Sequence, residues 1–107
     1  MFTKHNPDDY ILALPGIYRK TLVYGASTLL SEFHMSLGSI LPLHSHPNEQ
    51  TGYLISGHIQ LFVGDELYDA YPGDSWCVPA DQPHRAEIVE DSIVVEVFSP
   101  VRQDYLP

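Results

Sequence analysis

Basic residues are scarce in this chain of 107 residues, which has five Lys and Arg against 14 Asp and Glu and a formal net charge of −9. Nucleic-acid binding depends on clustered basic side chains, and anionic membrane surfaces attract the same kind of patch. The sequence therefore predicts neither a nucleic-acid partner nor a membrane partner. A small carboxylate remains compatible with this charge, provided that a metal ion or an arginine receives it locally.

Cysteine and long apolar runs are also lacking. The single cysteine, Cys77, excludes a disulfide within the chain and is compatible with a reducing compartment. No run approaches the roughly 18 apolar residues of a membrane span, and the N-terminal segment lacks the basic start of a secretion signal. We therefore expect a cytoplasmic protein. Cys77 stands between Trp76 and Val78 in a short strand pattern, where we expect a buried, inert thiol.

Short segments with alternating polarity, bounded by Gly, Pro, Asn or Asp, recur along the whole chain. Two of them are 17–24 and 29–37. Helical spacing nowhere extends beyond about two turns, and about eight short strands predict an all-β fold. We expect one domain built as an antiparallel β-barrel or jelly roll. Its core spans about residues 17–98, with an N-terminal arm over 1–16 and a C-terminal tail over 99–107.

The last part of the predicted core contains a candidate hairpin. Segments 84–89 and 92–98 both alternate in polarity, and they flank Glu90-Asp91. An acidic pair between two alternating segments favours a tight turn. The pattern predicts two strands joined at this point.

Three histidines and a glutamine have the spacing of a metal site. His44 and His46 are two residues apart, so on a strand both imidazoles lie on one face. Gln50 follows a Pro-Asn turn and can bring an amide oxygen from the next strand, and His84 can bring a third imidazole from across the barrel. Imidazole suits Zn, Ni and Fe, and three of them leave positions open for water or substrate. We predict one divalent ion, with Ni, Zn, Fe and Mn as the candidates.

The other histidines offer weaker signals. His5 lies in the tail, where we expect it to be solvated. His58 follows Gly57 and is typical of a turn or surface residue. His34 alternates with apolar neighbours, so the pattern leaves open whether it faces the cavity or the solvent.

The two histidine segments resemble the two motifs of the cupin superfamily, and the resemblance covers residues 33–98. It implies a small barrel in which two His and one Glu of the first motif, and one His of the second, bind a metal ion. Gln50 stands where the common pattern has Glu, and Asp81 stands where it has Gly. An amide keeps the oxygen donor but removes a negative charge, so the ion keeps its full charge toward an anionic ligand. Binding of the ion also becomes weaker and more sensitive to pH.

The C-terminal stretch offers candidate catalytic residues. Alternation places Glu96 and Phe98 on one face and Val95 and Val97 on the other, so we expect valines packed between sheets and Glu96 and Phe98 facing the cavity. A carboxylate near a dication can act as a general base, and Arg102 can bind a substrate carboxylate through two hydrogen bonds. The spacing equally allows a structural ion pair between Glu96 and Arg102.

This ending also resembles the Asp-x-Phe-Ser-Pro-x-Arg-x-Asp-Phe-Leu ending of KdgF-type pectin-degradation cupins, which use a His, His, Gln, His metal set. The resemblance implies conversion of 4,5-unsaturated uronates into the linear 5-keto-4-deoxyuronate. Their acidic residue, Phe and Arg line the active site and correspond to Glu96, Phe98 and Arg102. Glu in place of Asp is a departure, because one methylene moves the carboxylate by over about 1 Å, which can cost on the order of 10²-fold in rate.

Three functions remain open at this point. The first is a metal-dependent isomerase or tautomerase acting on a small carboxylated sugar or keto acid. The second is a dioxygenase that uses the same ligands, and the third is a cupin that binds a small ligand without turnover. We also expect a homodimer, because segment 10–14 is apolar and has no evident partner in its own chain.

Overall fold

The computed structural model describes residues 1–107 and confirms the predicted all-β jelly roll. Its strands are β1 (Ile11–Leu14), β2 (Ile17–Tyr24), β3 (Leu29–Met35), β4 (Ile40–His44), β5 (Glu49–Val63), β6 (Glu66–Ala70), β7 (Ser75–Val78) and β8 (His84–Ser99). A short 3₁₀ turn, Gln103–Tyr105, follows β8. The structure contains no helix with the length and hydropathy of a membrane span.

Two long strands, β5 and β8, build both walls of the barrel. They pair antiparallel along their whole length, from Glu49 opposite Ser99 to Val63 opposite His84. On its other edge β5 pairs first with β7 and then with β6, whereas β8 pairs first with β4 and then with β3. One wall therefore has the order β1-β2-β3-β8-β5-β7 and the other has the order β4-β8-β5-β6. The two walls enclose a single interior.

The prediction of a hairpin at Glu90-Asp91 is wrong, because β8 continues through both residues. The register between β5 and β8 shifts on both sides of His58, so the two strands bend together here. Gly57 permits the bend: its φ is +98°, and a Cβ there would lie 2.2 Å from Ser92 Oγ. A sharp bend exposes polar residues just as a turn does, which explains why the sequence pattern suggested a turn.

The interior face of β8 carries Val94, Glu96 and Phe98, which are all buried. Val95 and Val97 are half-buried on the outer face, so the expectation that these valines pack between the sheets is wrong. A closed barrel has one interior, and the face that looks into the cavity is also the face that builds the core. Glu96 and Phe98 do face inward, as predicted.

Cys77 is exposed, so the expectation of a buried thiol is wrong as well. Successive side chains of a strand point to opposite sides. In β7 the inward positions are taken by Trp76, which is half-buried, and Val78, which is fully buried. Cys77 lies between them and points outward.

Part of the segment expected to form an arm belongs to the barrel wall. Residues Ile11–Leu14 form β1, which pairs antiparallel with β2 and has a free second edge. The residues before it lie along the outer surface, where Lys20 Nζ donates to the carbonyls of Asn6 and Asp8 at 2.8 and 2.7 Å. The Tyr10 hydroxyl also donates to Glu32 on β3. These contacts attach the N-terminal segment to its own barrel.

Candidate metal centre

The three histidines of the predicted set converge inside the barrel where β4 meets the start of β8. His44 ends β4 and pairs directly with His84, the first residue of β8, while His46 lies in the loop before β5. Their potential ligand atoms all lie within 4.8 Å of one another. The ring centroids are 4.2 Å apart for His44 and His84 and 5.0 Å apart for His46 and His84. This cluster could hold one metal ion.

Each imidazole is oriented by a hydrogen bond from its Nδ1 to a nearby carbonyl. The acceptors are Pro42 for His44 at 2.8 Å, Asn48 for His46 at 2.9 Å and Gln82 for His84 at 2.8 Å. A carbonyl oxygen can only accept, so Nδ1 carries the proton and the neutral ring keeps a lone pair on Nε2. Backbone carbonyls orient metal-binding histidines in many proteins in this way.

The electrostatic state of the cluster suits a cation. Burial lowers the pKa of His84 to about 4 and also lowers the pKa of His44, against the opposing effect of their carbonyl hydrogen bonds. Both rings are therefore neutral at neutral pH, as metal ligands must be. The buried Nε2 of His84 has no hydrogen-bond partner, although buried polar atoms are nearly always paired. A buried lone pair of this kind fits a metal ligand.

Gln50 completes the set from β5. It is buried, and its Oε1 lies 2.9 Å from Nε2 of His46. Because Nε2 of the neutral ring is itself an acceptor, two acceptors face each other. Two ligands at about 2.1 Å from one cation and at right angles to each other would be separated by about 3.0 Å. The separation of these two atoms therefore suits ligands of a shared ion.

Glu96 is a buried carboxyl next to this set, with an exposed fraction of 7%. Burial raises the pKa of Glu96 to about 8, although the neighbouring Gln50 amide, the Trp76 indole and the charge of Arg102 lower it. The carboxyl is thus mainly protonated at neutral pH unless a cation lies nearby. The two neighbours do not satisfy it fully, because Glu96 Oε2 and Trp76 Nε1 each lack a hydrogen bond.

Trp76 reaches Glu96 across a glycine. Gly52 on β5 pairs with Trp76 of β7 on one side and with Glu96 of β8 on the other. A Cβ at Gly52 would lie 2.3 Å from the indole Nε1, so only glycine leaves room for this ring. No sequence motif predicted a role in the site for Gly52 or Trp76. The available signal was the isolated glycine within a strand pattern, which often marks a close approach of another group.

Arg102 lies in the tail after β8. Its Nε donates to the two carboxylate oxygens of Asp104 at 3.1 and 3.2 Å, and its guanidinium lies over the rings of Phe98 and Tyr105. The alternative of an ion pair between Arg102 and Glu96 is not what the structure contains, since Asp104 is the acidic partner. The terminal nitrogens of Arg102 donate to no protein group, so they are available to a ligand.

One cavity of about 430 Å³ connects these groups. The predicted site residues that line it are His44, Gln50, His84, Glu96, Phe98 and Arg102. His46 is buried behind this surface and its ring packs edge-on against Phe98, with centroids 5.7 Å apart. Most other lining residues are apolar, including the whole of β1. A mainly apolar cavity with a few convergent polar groups is typical of a small-molecule site.

The remaining histidines lie outside the cavity. His34 is on the outer face of β3, with Nε2 2.8 Å from Glu32 Oε1, which answers the question of its orientation. His58 contacts the Asp69 carboxylate at 2.9 Å on the surface. His5 is exposed in the N-terminal segment, as expected.

Comparisons with known proteins agree with this geometry. The family model described as cupin domain matches residues 31–99. The chain is similar to the pectin degradation protein KdgF of Dickeya dadantii (strain 3937), with 26% identity over 93 residues that cover 85% of this chain and 84% of that protein. Its fold matches the structure of KdgF from Halomonas sp. with a TM-score of 0.93 and 29% identity over 99% of this chain and 98% of that one. An RmlC-like cupin from Shewanella frigidimarina NCIMB 400 has the same fold, with a TM-score of 0.92 at 23% identity over 98% of this chain and 95% of that one.

Proposed function

The chain belongs to the cupin domain family and is similar to KdgF proteins, and from this premise we propose that it is a metal-dependent isomerase that opens the ring of 4,5-unsaturated uronates. The observation that carries the proposal is the composition of the one cavity described above. It combines histidine ligand candidates, a buried carboxyl at Glu96 and an arginine with free terminal nitrogens. Cation, proton carrier and carboxylate receptor are the three groups that such a reaction requires.

Arg102 binds the substrate carboxylate in this proposal. Its Nε is held by Asp104, and the flat faces of Phe98 and Tyr105 restrict the plane of the guanidinium. The two terminal nitrogens can then donate a pair of parallel hydrogen bonds to a carboxylate. A fixed guanidinium loses little conformational freedom when it binds the carboxylate. It therefore holds the sugar ring in one orientation relative to Glu96, which favours proton transfer.

Glu96 moves the proton. Opening the hemiacetal ring takes the proton from the hydroxyl on C1, forms the C1 carbonyl as the bond between C1 and the ring oxygen breaks, and leaves that oxygen on C5 as an enolate. Delivery of the proton to C4 then gives the 5-keto product. The atoms balance, because the conversion is an isomerisation. A divalent ion held by His44, His46 and His84 would polarise a substrate oxygen and lower the pKa of Glu96 toward neutrality. A carboxyl with a pKa near the working pH can both accept and deliver a proton.

The apolar lining excludes bulk water from these steps. Leu14, Leu41 and Phe98 belong to the cavity wall along with most of the other lining residues. Within such a wall, charge interactions between the substrate and Arg102 are stronger than in water. The wall therefore supports both the binding of an anion and the controlled transfer of a proton.

The test uses metal-loaded protein and unsaturated monouronates prepared from pectin and from alginate. We expect the ultraviolet absorbance of the 4,5 double bond to disappear faster than in buffer, and NMR spectra to show the linear keto product. The variant His84→Gln should lose metal and turnover, whereas His58→Gln, a change of a surface histidine, should retain both.

Two results would refute the proposal. Binding of uronates without loss of absorbance would indicate a ligand-binding cupin instead. Turnover that requires oxygen, and that stops under anaerobic conditions, would indicate a dioxygenase on the same ligands.

A further inference from the structure

We propose that the cavity contains a second anion-binding position at Arg19, so that it also binds small molecules with two acidic groups. This inference rests on the carboxylate-binding role of Arg102 in the proposed function and adds a second class of ligand, compounds with two acidic groups. Nothing in the sequence motifs pointed to Arg19, which lies on β2, far from the metal motifs along the chain.

The distribution of positive charge favours this position. The chain has only five Lys and Arg at a net charge of −9, and its three arginines are Arg19, Arg85 and Arg102. Two of these, Arg19 and Arg102, line the same cavity. In a strongly acidic protein, two cations in the lining of one mainly apolar cavity favour an anionic ligand there, although Asp104 in the same lining is paired with Arg102.

Arg19 is the arginine without an acidic partner. Arg85 contacts Glu87 at 3.8 Å and Arg102 contacts Asp104 at 3.1 Å, but no carboxylate lies within ion-pair distance of Arg19. Its one hydrogen bond is a long contact of 3.4 Å from Nη2 to the carbonyl of Asp104. Most of the donors of this half-buried guanidinium therefore have no protein acceptor and are available for a ligand.

The two arginines are close enough to serve one molecule. Their guanidinium carbons lie 4.1 Å (Arg19) and 4.2 Å (Arg102) from the centroid of the Tyr105 ring. The two carbons are therefore separated by no more than about 8 Å, and the electron-rich ring stabilises both cations. A compact dicarboxylate can place one acidic group at each arginine.

Arg19 also has a plain structural alternative, which is to hold the C-terminal tail against β2. Its contacts with Tyr105 and with the Asp104 carbonyl are of that kind. A tail contact would influence all ligands of the cavity equally. A second anion site would strengthen the binding of a ligand with two acidic groups much more than that of a ligand with one, and this difference decides between the two roles.

The experiment compares galactonate with galactarate, which share a six-carbon skeleton and differ by one carboxylate. Binding to the metal-loaded full chain is measured by calorimetry and by the fluorescence of Trp76, the one tryptophan, which lines the cavity. We expect galactarate to bind the parent at least about tenfold more tightly than galactonate. In Arg19→Gln this preference should disappear, because galactarate affinity falls much further than galactonate affinity.

Two further variants complete the design. Arg85→Gln removes the same charge outside the cavity and should leave both affinities unchanged, whereas Arg102→Gln should weaken both ligands. Equal weakening of both ligands in Arg19→Gln would overturn the inference, as would a parent protein without preference for galactarate. A clear preference without uronate conversion would refute only the proposed isomerase function, and conversion without preference would refute only the role of Arg19.

Discussion

At the scale of single residues, substitution of Glu96 is the most direct test of its proposed role in proton transfer. Glu96→Gln keeps the shape of the side chain and removes its ability to transfer a proton. We expect the turnover number to fall by about 10²–10⁴-fold, while metal content and ligand affinity remain close to those of the parent. Steady-state kinetics, elemental analysis and a ligand titration measure the three quantities.

Glu96→Asp provides the matched comparison, since it retains the carboxyl and shortens the side chain by one methylene. It should recover part of the lost turnover, because KdgF-type cupins resemble this chain but have Asp at the corresponding position. If Glu96→Gln converts uronates at the parental rate, Glu96 is not the proton carrier.

The pKa of His84 leads to a prediction for the metal-free protein. Its folded-state pKa is about 4 against an ordinary value of 6.5, so below pH 6.5 the unfolded chain takes up a proton that the folded protein excludes. The contribution of His84 to the free energy of unfolding therefore falls as the pH decreases, by about 2 kcal/mol between pH 7 and pH 5. Glu96 changes stability in the opposite direction, because its pKa is raised to about 8.

The contribution of His84 to the free energy of unfolding is therefore measured as the difference between the parent and the variant His84→Asn. Urea unfolding of the metal-free parent and of His84→Asn should show a stability gap that narrows by about 2 kcal/mol on acidification from pH 7 to pH 5. A gap that does not change with pH would show that His84 titrates normally in the folded protein.

The sequence could predict individual ligand candidates because their signal is local. His44 and His46 are two residues apart, and this spacing alone places them on one side of an extended segment. Arg19 and Trp76 carry no such signal, because each reaches the cavity through strand pairing with partners distant in the chain. Their roles depend on the barrel register, which the motifs do not encode.

At the scale of strands, the approach of β7 to β8 across Gly52 provides a further prediction. A Cβ at this position would lie 2.3 to 2.6 Å from three atoms of the Trp76 indole, so Gly52→Ala must displace the ring. We expect a loss of about 1–3 kcal/mol in unfolding free energy and a shifted emission maximum of Trp76. Thermal or urea unfolding followed by fluorescence measures both effects.

Gly25→Ala is the matched control, because a Cβ at Gly25 would have no atom within 4 Å. This variant should have nearly the parental stability and an unchanged tryptophan spectrum. Equal behaviour of the two alanine variants would contradict the close packing of Trp76 over Gly52.

Alternating polarity along the strands predicted some features of the structure correctly and others wrongly. It correctly predicted β2 as residues 17–24 and the inward direction of Glu96 and Phe98. It failed at the bend near Glu90-Asp91, because an exposed acidic pair looks alike in a turn and in a bent strand. It also failed for Cys77, where composition suggested burial but the inward position belongs to Trp76.

At the scale of the whole molecule, strand β1 leads us to expect a homodimer. It pairs with β2 on one side only, so the other edge presents unpaired backbone groups. Ile11 and Leu12 are about half exposed on this strand, with exposed fractions of 55% and 57%. A second copy of the chain would cover both the free edge and the apolar side chains, as small domains with limited cores often require.

Light scattering at tens of micromolar protein should therefore give the mass of a dimer. Leu12→Lys places a charge on the expected contact and should shift the equilibrium toward monomer, whereas Leu67→Lys changes an equally exposed leucine on β6, away from β1, and should not. A parent protein that remains monomeric at this concentration would refute the expectation. Strand β1 would then be an exposed edge strand that contributes only to its own barrel.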